Sequence, residues 1–225
     1  MYVPNHFAMS TEQVHELLAG IGVADLVTGH TTGMVATFLP FVFDPGSGDH
    51  GALLTHVARN NRQCSVPVVG EAMVIVHGAD HYISPRWLPS LDLTGTVVPT
   101  WDYLTVHAYG RLIVHDDPAW TEAAVRRLTD AHETQYSVDQ VPADHLERML
   151  RAIVGIEVQL TRVEAKAKMS QNKSPEDVRG IVAGLRSDAG DAAAMLTAQW
   201  IAEHSVAAAE RRYALMDELR RTRRG

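Results

Sequence analysis

Three clusters of polar residues carry side chains able to do chemistry. The first is His56 with Arg59 and Asn60, inside Leu54-Thr55-His56-Val57-Ala58-Arg59-Asn60-Asn61. If a helical turn starts near Val57, the spacing puts imidazole and guanidinium on one side of it. A neutral imidazole ligates a metal or haem iron, and a guanidinium clamps a carboxylate or phosphate. The same residues also describe a capped strand-to-helix corner with a solvated Arg. The second cluster is His77-Gly78-Ala79-Asp80-His81-Tyr82-Ile83-Ser84-Pro85-Arg86-Trp87. Here Tyr82 and Ser84 face a ligand, or the aromatic residues are core. Gly78 argues against a helix between His77 and His81, so the two-histidine zinc pattern fails. The third cluster is Lys166-Ala167-Lys168-Met169-Ser170-Gln171-Asn172-Lys173. It interleaves cationic, hydroxyl and amide donors ahead of a helix start, which suits an anion. A polar turn after an edge strand is the plainer reading.

The elements that must position these residues follow from periodicity. Ser10 with Gln13 forms a capping-box pattern, and Val14, Leu17, Leu18 and Ile21 recur at helical spacing, so residues 11–20 form a helix ended by Gly22. Strands are expected at 24–28, at 34–44 with a break at Pro40, at 52–57, at 71–77, briefly at 81–84, at 101–114 and at 153–163. Residues 85–99 read as a loop. Helices are expected at 118–133, 143–150, 175–186 and, long and Ala-rich, 191–222, with a break at 188–190. Antiparallel strands at short spacing suggest a barrel.

Composition sets the remaining bounds. A chain of 225 residues with 46% hydrophobic and 21% charged residues is ordinary for a globular protein. The formal net charge of −7 and a pI near 5.9 argue against phosphate-driven nucleic-acid binding. Arg211, Arg212, Arg220, Arg221, Arg223 and Arg224 nevertheless make a local basic patch. Cys64 is the single cysteine, so no disulfide forms within the chain. With no apolar run of membrane-spanning length and no signal pattern, the expected location is the cytoplasm. No dinucleotide-binding glycine motif, phosphate loop or Gly-x-Ser-x-Gly elbow is present.

Several segments together resemble the PaiB family. They are Met1-Tyr2-Val3-Pro4-Asn5-His6-Phe7, His56-Val57-Ala58-Arg59-Asn60, Tyr82-Ile83-Ser84-Pro85, Val98-Pro99-Thr100-Trp101-Asp102-Tyr103, Val106-His107 with Tyr109-Gly110, Leu150-Arg151-Ala152-Ile153-Val154-Gly155, and Lys168-Met169-Ser170-Gln171-Asn172-Lys173. The resemblance runs in order over residues 1–187. It implies an α+β fold: an FMN-binding-type split β-barrel, antiparallel and Greek-key-like, with flanking helices and a long C-terminal helix. Domains follow as 1–187, with a helical insert at about 118–150, and a helical extension at 188–225. It also implies a homodimer with the cofactor at the subunit interface and a small-molecule substrate, without nucleic acid or membrane.

The family carries the label of FMN-binding negative transcriptional regulators and resembles haem-dependent enzymes of the piperazate synthase type, which form nitrogen–nitrogen bonds. By that resemblance His56 is the axial ligand of haem b. Arg59, Asn60, Ser84, Trp101, Lys166, Lys168, Ser170, Gln171 and Asn172 are expected at the cofactor, and Arg59, His77, Tyr82, His107 and Lys168 at the chemistry. The expected activity joins two nitrogens starting from an N-hydroxylated amine or amino acid. An FMN-binding regulator or sensor is the alternative, and a haem-degrading or haem-storage protein a third. The chain departs from the family pattern after Arg59, where Asn60-Asn61-Arg62-Gln63-Cys64 stands, and at Val76-His77-Gly78-Ala79, where a bulky aromatic residue is absent and His77 is gained.

Overall fold

A computed structural model describes residues 1–187 and 190–222. Asp188 and Ala189, from the expected break, and Arg223 and Arg224, from the basic patch, lie outside the described residues. The chain forms two compact units. The first comprises Met1, Ser10–Val76 and Val106–Glu164, and the second Tyr2–Met9, His77–Thr105 and Ala165–Gly225.

The first unit begins with α1 (Thr11–Ile21). The Ser10 side chain accepts from Gln13 N, and the Gln13 side chain accepts from Ser10 N, which completes the capping box. Such a cap contributes about 1 kcal/mol. Gly22 closes the helix at φ 71, in the left-handed region open to glycine. β1 (Val23–His30) then pairs antiparallel with β2 (Gly33–Pro40), from Val23 opposite Pro40 to His30 opposite Gly33. β1 alternates between buried and part-exposed residues, as a strand covered on one side must. Pro40 ends β2, and β3 (Val42–Asp44) resumes after Phe41.

β4 (Ala52–Ala58) pairs with β3, and α2 (Arg62–Ser65) follows a turn. The remaining strands are long: β5 (Ala72–Ile83), β6 (Thr100–His115) and β7 (Ile153–Lys168). Among the described residues the sheet order is β2-β1-β5-β6-β7-β4-β3. The first unit holds the near parts of β5 to β7. Its core gathers Leu18, Leu26, Leu53, Val74, Val106 and Ile156, each at most 3% exposed. Burying one such side chain contributes about 1.5–3 kcal/mol.

The second unit holds the far parts of those three strands together with α3 (Ser90–Thr94), α6 (Pro175–Arg186), α7 (Ala192–Trp200) and α8 (Val206–Thr222). Between β6 and β7, in the first unit, lie α4 (Pro118–His132) and α5 (Ala143–Arg151). The α+β class, antiparallel sheet, flanking helices and long C-terminal helix are as the sequence implies.

Four expectations about elements are corrected. β5 is one strand where two were expected, because Gly78 to Asp80 continue the extended backbone instead of turning. Residues 85–99 contain a 3-10 turn at Pro85–Trp87 and the helix α3. β7 continues to Lys168, so Lys166 and Lys168 stand on a strand and not in the polar turn. The long C-terminal helix is interrupted by a π-helical turn at Ile201–Ser205, where Ser205 Oγ donates to Met169 O at 2.7 Å.

Candidate functional site

In the first unit, His56 sits on β4 directly opposite Gly155 of β7. The helical turn expected between His56 and Arg59 is therefore absent: β4 reaches Ala58, and Arg59 lies in the turn beyond it. Leu54, Val57 and Ile156 around His56 are buried, and His56 itself is half-buried. Its Nδ1 is buried without a hydrogen-bond partner. Leaving such an atom unpaired costs about 1–3 kcal/mol. Burial pushes the imidazole pKa down, so the ring is neutral near pH 7. A neutral, partly buried imidazole on a rigid strand meets the requirements of a metal or haem ligand.

Arg59 does something different from what its type suggested. Its backbone N–H donates to Ala152 O at 2.9 Å. Its guanidinium donates from Nε to Arg151 O (3.0 Å), from Nη2 to Ile153 O (3.1 Å) and from Nη1 to Asp116 (2.5 Å). The side chain therefore binds the end of β4 to the α5–β7 corner. Asn60, beside it, is exposed.

The second unit carries a face of different chemistry. Asp80 and Tyr82 from β5, Trp101 and Tyr103 from β6, and Lys166 and Lys168 from β7 meet there. Trp101 Nε1 donates to Asp80 Oδ1 at 2.7 Å, and the Trp101 ring lies edge-on to Tyr82 at 6.2 Å between centroids. Lys166 Nζ stands 5.5 Å and Lys168 Nζ 5.9 Å from the Tyr103 ring centroid, within cation–π range.

The two lysines differ in what they have left to offer. Lys168 Nζ donates to Thr100 Oγ1 at 2.6 Å and to the Trp101 carbonyl, and it stands 3.5 Å from Asp102 Oδ1. Those contacts use its three donors. Lys166 Nζ has no hydrogen-bond partner among the described residues and remains available to an anion. Tyr82 and Trp101 are 42% and 52% exposed, which leaves aromatic surface beside it.

Asp102, only 1% exposed, is the residue that the reading of the motifs missed. It accepts from Ser170 Oγ at 2.6 Å. Burial raises its pKa, and the opposing effects of Ser170, Lys168 and Lys173 do not cancel that. Its one signal in the sequence is a carboxylate amid the Trp101-Asp102-Tyr103-Leu104 strand. Ser170 has φ 61, the one non-glycine in the left-handed region among the described residues. Gln171 binds locally: its Oε1 accepts from Met169 N (2.8 Å) and its Nε2 donates to Ala167 O (2.6 Å). The carbonyl of Asn172 accepts from Arg212 at 2.5 Å. These contacts make 167–172 a tightly tied strand end.

Comparison with known proteins places the chain in a family. The model of a family described as "Putative FMN-binding domain" matches residues 1–162. The chain belongs to this FMN-binding-domain family. The "Protease synthase and sporulation protein PAI 2" of Bacillus subtilis is 26% identical over 84% of this chain and 90% of its own length. An uncharacterised protein of Emericella nidulans is 28% identical over 69% of the chain and 77% of its own length. Among solved structures, the flavocytochrome Anf3 of Azotobacter vinelandii aligns with a TM-score of 0.58 at 14% identity, over 74% of this chain and 72% of that one. A conserved hypothetical protein of Mycobacterium tuberculosis aligns with a TM-score of 0.54 at 10% identity, over 75% and 91%. These likenesses establish the fold.

Within this FMN-binding-domain member, the residues expected at the site fall into both units. His56, Arg59, Asn60 and His107 belong to the first; His77, Tyr82, Ser84, Trp101, Lys166, Lys168, Ser170, Gln171 and Asn172 belong to the second. His77 is exposed on β5. The Ser84 side chain accepts from Arg86 N at 3.3 Å and caps the 3-10 turn. No group of three or more His, Cys, Asp or Glu among the described residues is arranged to hold a metal ion. Burial raises the Cys64 pKa, and its Sγ donates to Asn61 O at 3.0 Å; the thiol is not activated. Among the described residues no helix is long and apolar enough to cross a membrane.

Proposed function

We propose that this protein binds haem b through His56 and is an enzyme that forms a nitrogen–nitrogen bond from an N-hydroxylated amine or amino acid. The observation that carries the haem assignment is His56 itself: neutral, half-buried on β4, with Nδ1 unpartnered. A flavin needs no such imidazole, whereas a neutral imidazole is a common axial ligand of haem iron. The iron would supply a Lewis acid that polarises the substrate's N–O bond. The net conversion breaks that bond, joins the nitrogen to an amine nitrogen and releases water, so it needs no external oxidant or reductant.

The chain's own residues divide the remaining tasks. The Arg59 clamp fixes the strand end that carries His56. Lys166, beside Tyr103, is the cation available for an acidic group. Lys168 and Ser170, tied to β6 and Asp102, hold the shape of that face. A homodimer working on a small-molecule substrate in the cytoplasm completes the proposal.

The second reading is an FMN-binding regulator or sensor. The Tyr82, Trp101 and Tyr103 face favours it, because flat rings pack on aromatic surface and Lys166 would meet a phosphate. The Azotobacter vinelandii neighbour is a flavocytochrome, which is compatible with either group. Haem storage or degradation would use the same His56.

An absorbance spectrum after titration with haem and, separately, with FMN tests the proposal. The expected result is a Soret band that His56→Ala abolishes or shifts. A protein that turns yellow with FMN and gives the same haem spectrum with and without His56 would sink it. Incubating the loaded protein with N-hydroxylated amino acids and measuring N–N products by mass spectrometry tests the activity. Colour loss with a reductant would instead favour haem degradation.

A further inference from the structure

Directly across the ladder from His56 stands a residue with no side chain, and an indole fills the space beside it. A Cβ on Gly155 would lie 2.3 Å from Cε3 and Cζ3 of Trp120 and 3.2 Å from Thr121 Oγ1. Directly opposed residues of an antiparallel pair project from the same side of the sheet, with Cβ positions about 5 Å apart. The Trp120 ring therefore occupies the sheet face that carries His56, one strand away.

Trp120 is itself held. Its ring stacks on His115, with centroids 3.8 Å apart and planes within 8°. His115 Nε2 is hydrogen-bonded to Glu157 Oε2 at 2.8 Å. Glu157 is two residues beyond Gly155 on β7, hence on the same face, and also accepts from Gln159 Nε2 at 3.1 Å. Trp120 enters from the first turn of α4, where the Asp117 side chain caps Ala119 N at 3.0 Å and Pro118 fixes the entry of the chain. All these residues belong to the first unit.

We infer that Trp120 is a positioning residue for His56. The indole, clamped between the bare backbone of Gly155 and the His115–Glu157 pair, walls one side of the imidazole and restricts its ring rotation. Gly155 is required because any side chain there would expel the indole. The inference rests on His56 as the ligand of a prosthetic group, and it explains how an imidazole whose Nδ1 has no hydrogen-bond partner keeps one orientation: by packing. Histidine ligands are commonly aligned by a hydrogen bond to the second ring nitrogen; here a ring stack takes that task.

The test uses the full chain with iron protoporphyrin IX as the probe, and His56→Ala, Trp120→Ala, Trp120→Phe and Gly155→Ala as variants. Trp120→Ala is expected to weaken haem binding about 10- to 100-fold, the usual effect of losing a residue that orients a ligand. The Soret band should broaden or move, and Trp120→Phe should restore most of both. In the haem-free protein, the NMR signals of the His56 ring are expected to move in Trp120→Ala and Gly155→Ala. If Trp120→Ala binds haem with wild-type affinity and spectrum while His56→Ala does not bind, the positioning role is overturned and His56 as ligand stands. Should His56→Ala bind unchanged, the ligand assignment fails, and the haem-free ring signals alone decide whether Trp120 orients His56. Should Trp120→Ala not fold, Gly155→Ala is read by the same ring signals, and unmoved signals overturn the inference.

Discussion

Residue types alone misassigned tasks among the cations of this protein. Arg59 has the chemistry of an anion clamp, yet its three guanidinium nitrogens go to two backbone carbonyls and Asp116. Arg59→Ala is expected to lower stability by about 1 kcal/mol, since the partly exposed ion pair contributes little and the carbonyl contacts most of it. For a chain of this size that is a drop of about 2–4 °C in the unfolding midpoint, measurable by calorimetry.

Asp102 makes a pH-dependent contribution whose sign is set by burial. Its folded pKa lies above the ordinary carboxylate value of 3.8. Between the unfolded and folded values the native state therefore binds more protons, and stability falls as pH rises. Below 3.8 the neutral carboxyl contributes fully; above the folded value the slope vanishes. Urea unfolding of wild type and Asp102→Asn across that range should show the falling portion in wild type alone. The strand pattern around Asp102 was visible in the sequence, but its burial was not, because alternation does not say which face another element covers.

At the scale of elements, helix ends were the most legible features. The capping box at Ser10 and Gln13, the stop at Gly22, and Ser174 before Pro175 all stand where local chemistry places them. Ser174 Oγ accepts from Asp177 N at 3.1 Å, and Ser174→Ala is expected to cost about 1 kcal/mol by thermal unfolding. Two glycines of α6 look like flaws by propensity and are contacts by packing. A Cβ at Gly180 would lie 2.1 Å from Trp87 O, and one at Gly184 2.2 Å from Trp87 Cγ. Alanine raises helix propensity by about 1 kcal/mol. Forcing a part-buried indole aside costs about 1–3 kcal/mol. Gly184→Ala should therefore lower the unfolding midpoint; a rise would show that Trp87 moves freely. The continuous β5 and the far end of β7 were misread because glycine and lysine are poor strand formers, and tertiary pairing overrode that preference.

For the whole molecule, net charge is the property that acts at a distance. At −7, the chain repels polyphosphate outside local patches. Non-specific DNA binding is expected to be undetectable by fluorescence anisotropy at physiological salt. Salt-dependent binding would favour the regulator reading over the enzyme. The C-terminal helices belong to the structured part of the second unit: Ala194, Ala198, Ile201 and Ala209 are fully buried there.

The sequence by itself determined the elements that local physics controls: capped helices, turns at glycine and proline, and the alternation that makes an antiparallel sheet. It also singled out His56 and the lysine cluster, because few side chains can ligate iron or hold an anion. Which of those groups remain available was decided by the tertiary structure alone. Hydrogen bonds between residues far apart in the chain use up Arg59 and Lys168 and leave Lys166 Nζ and the His56 Nδ1 without hydrogen-bond partners among the described residues. The stack of Trp120 on His115 above Gly155 had no sequence signature, because it depends on α4 meeting β7, a contact between segments with no local pattern in common.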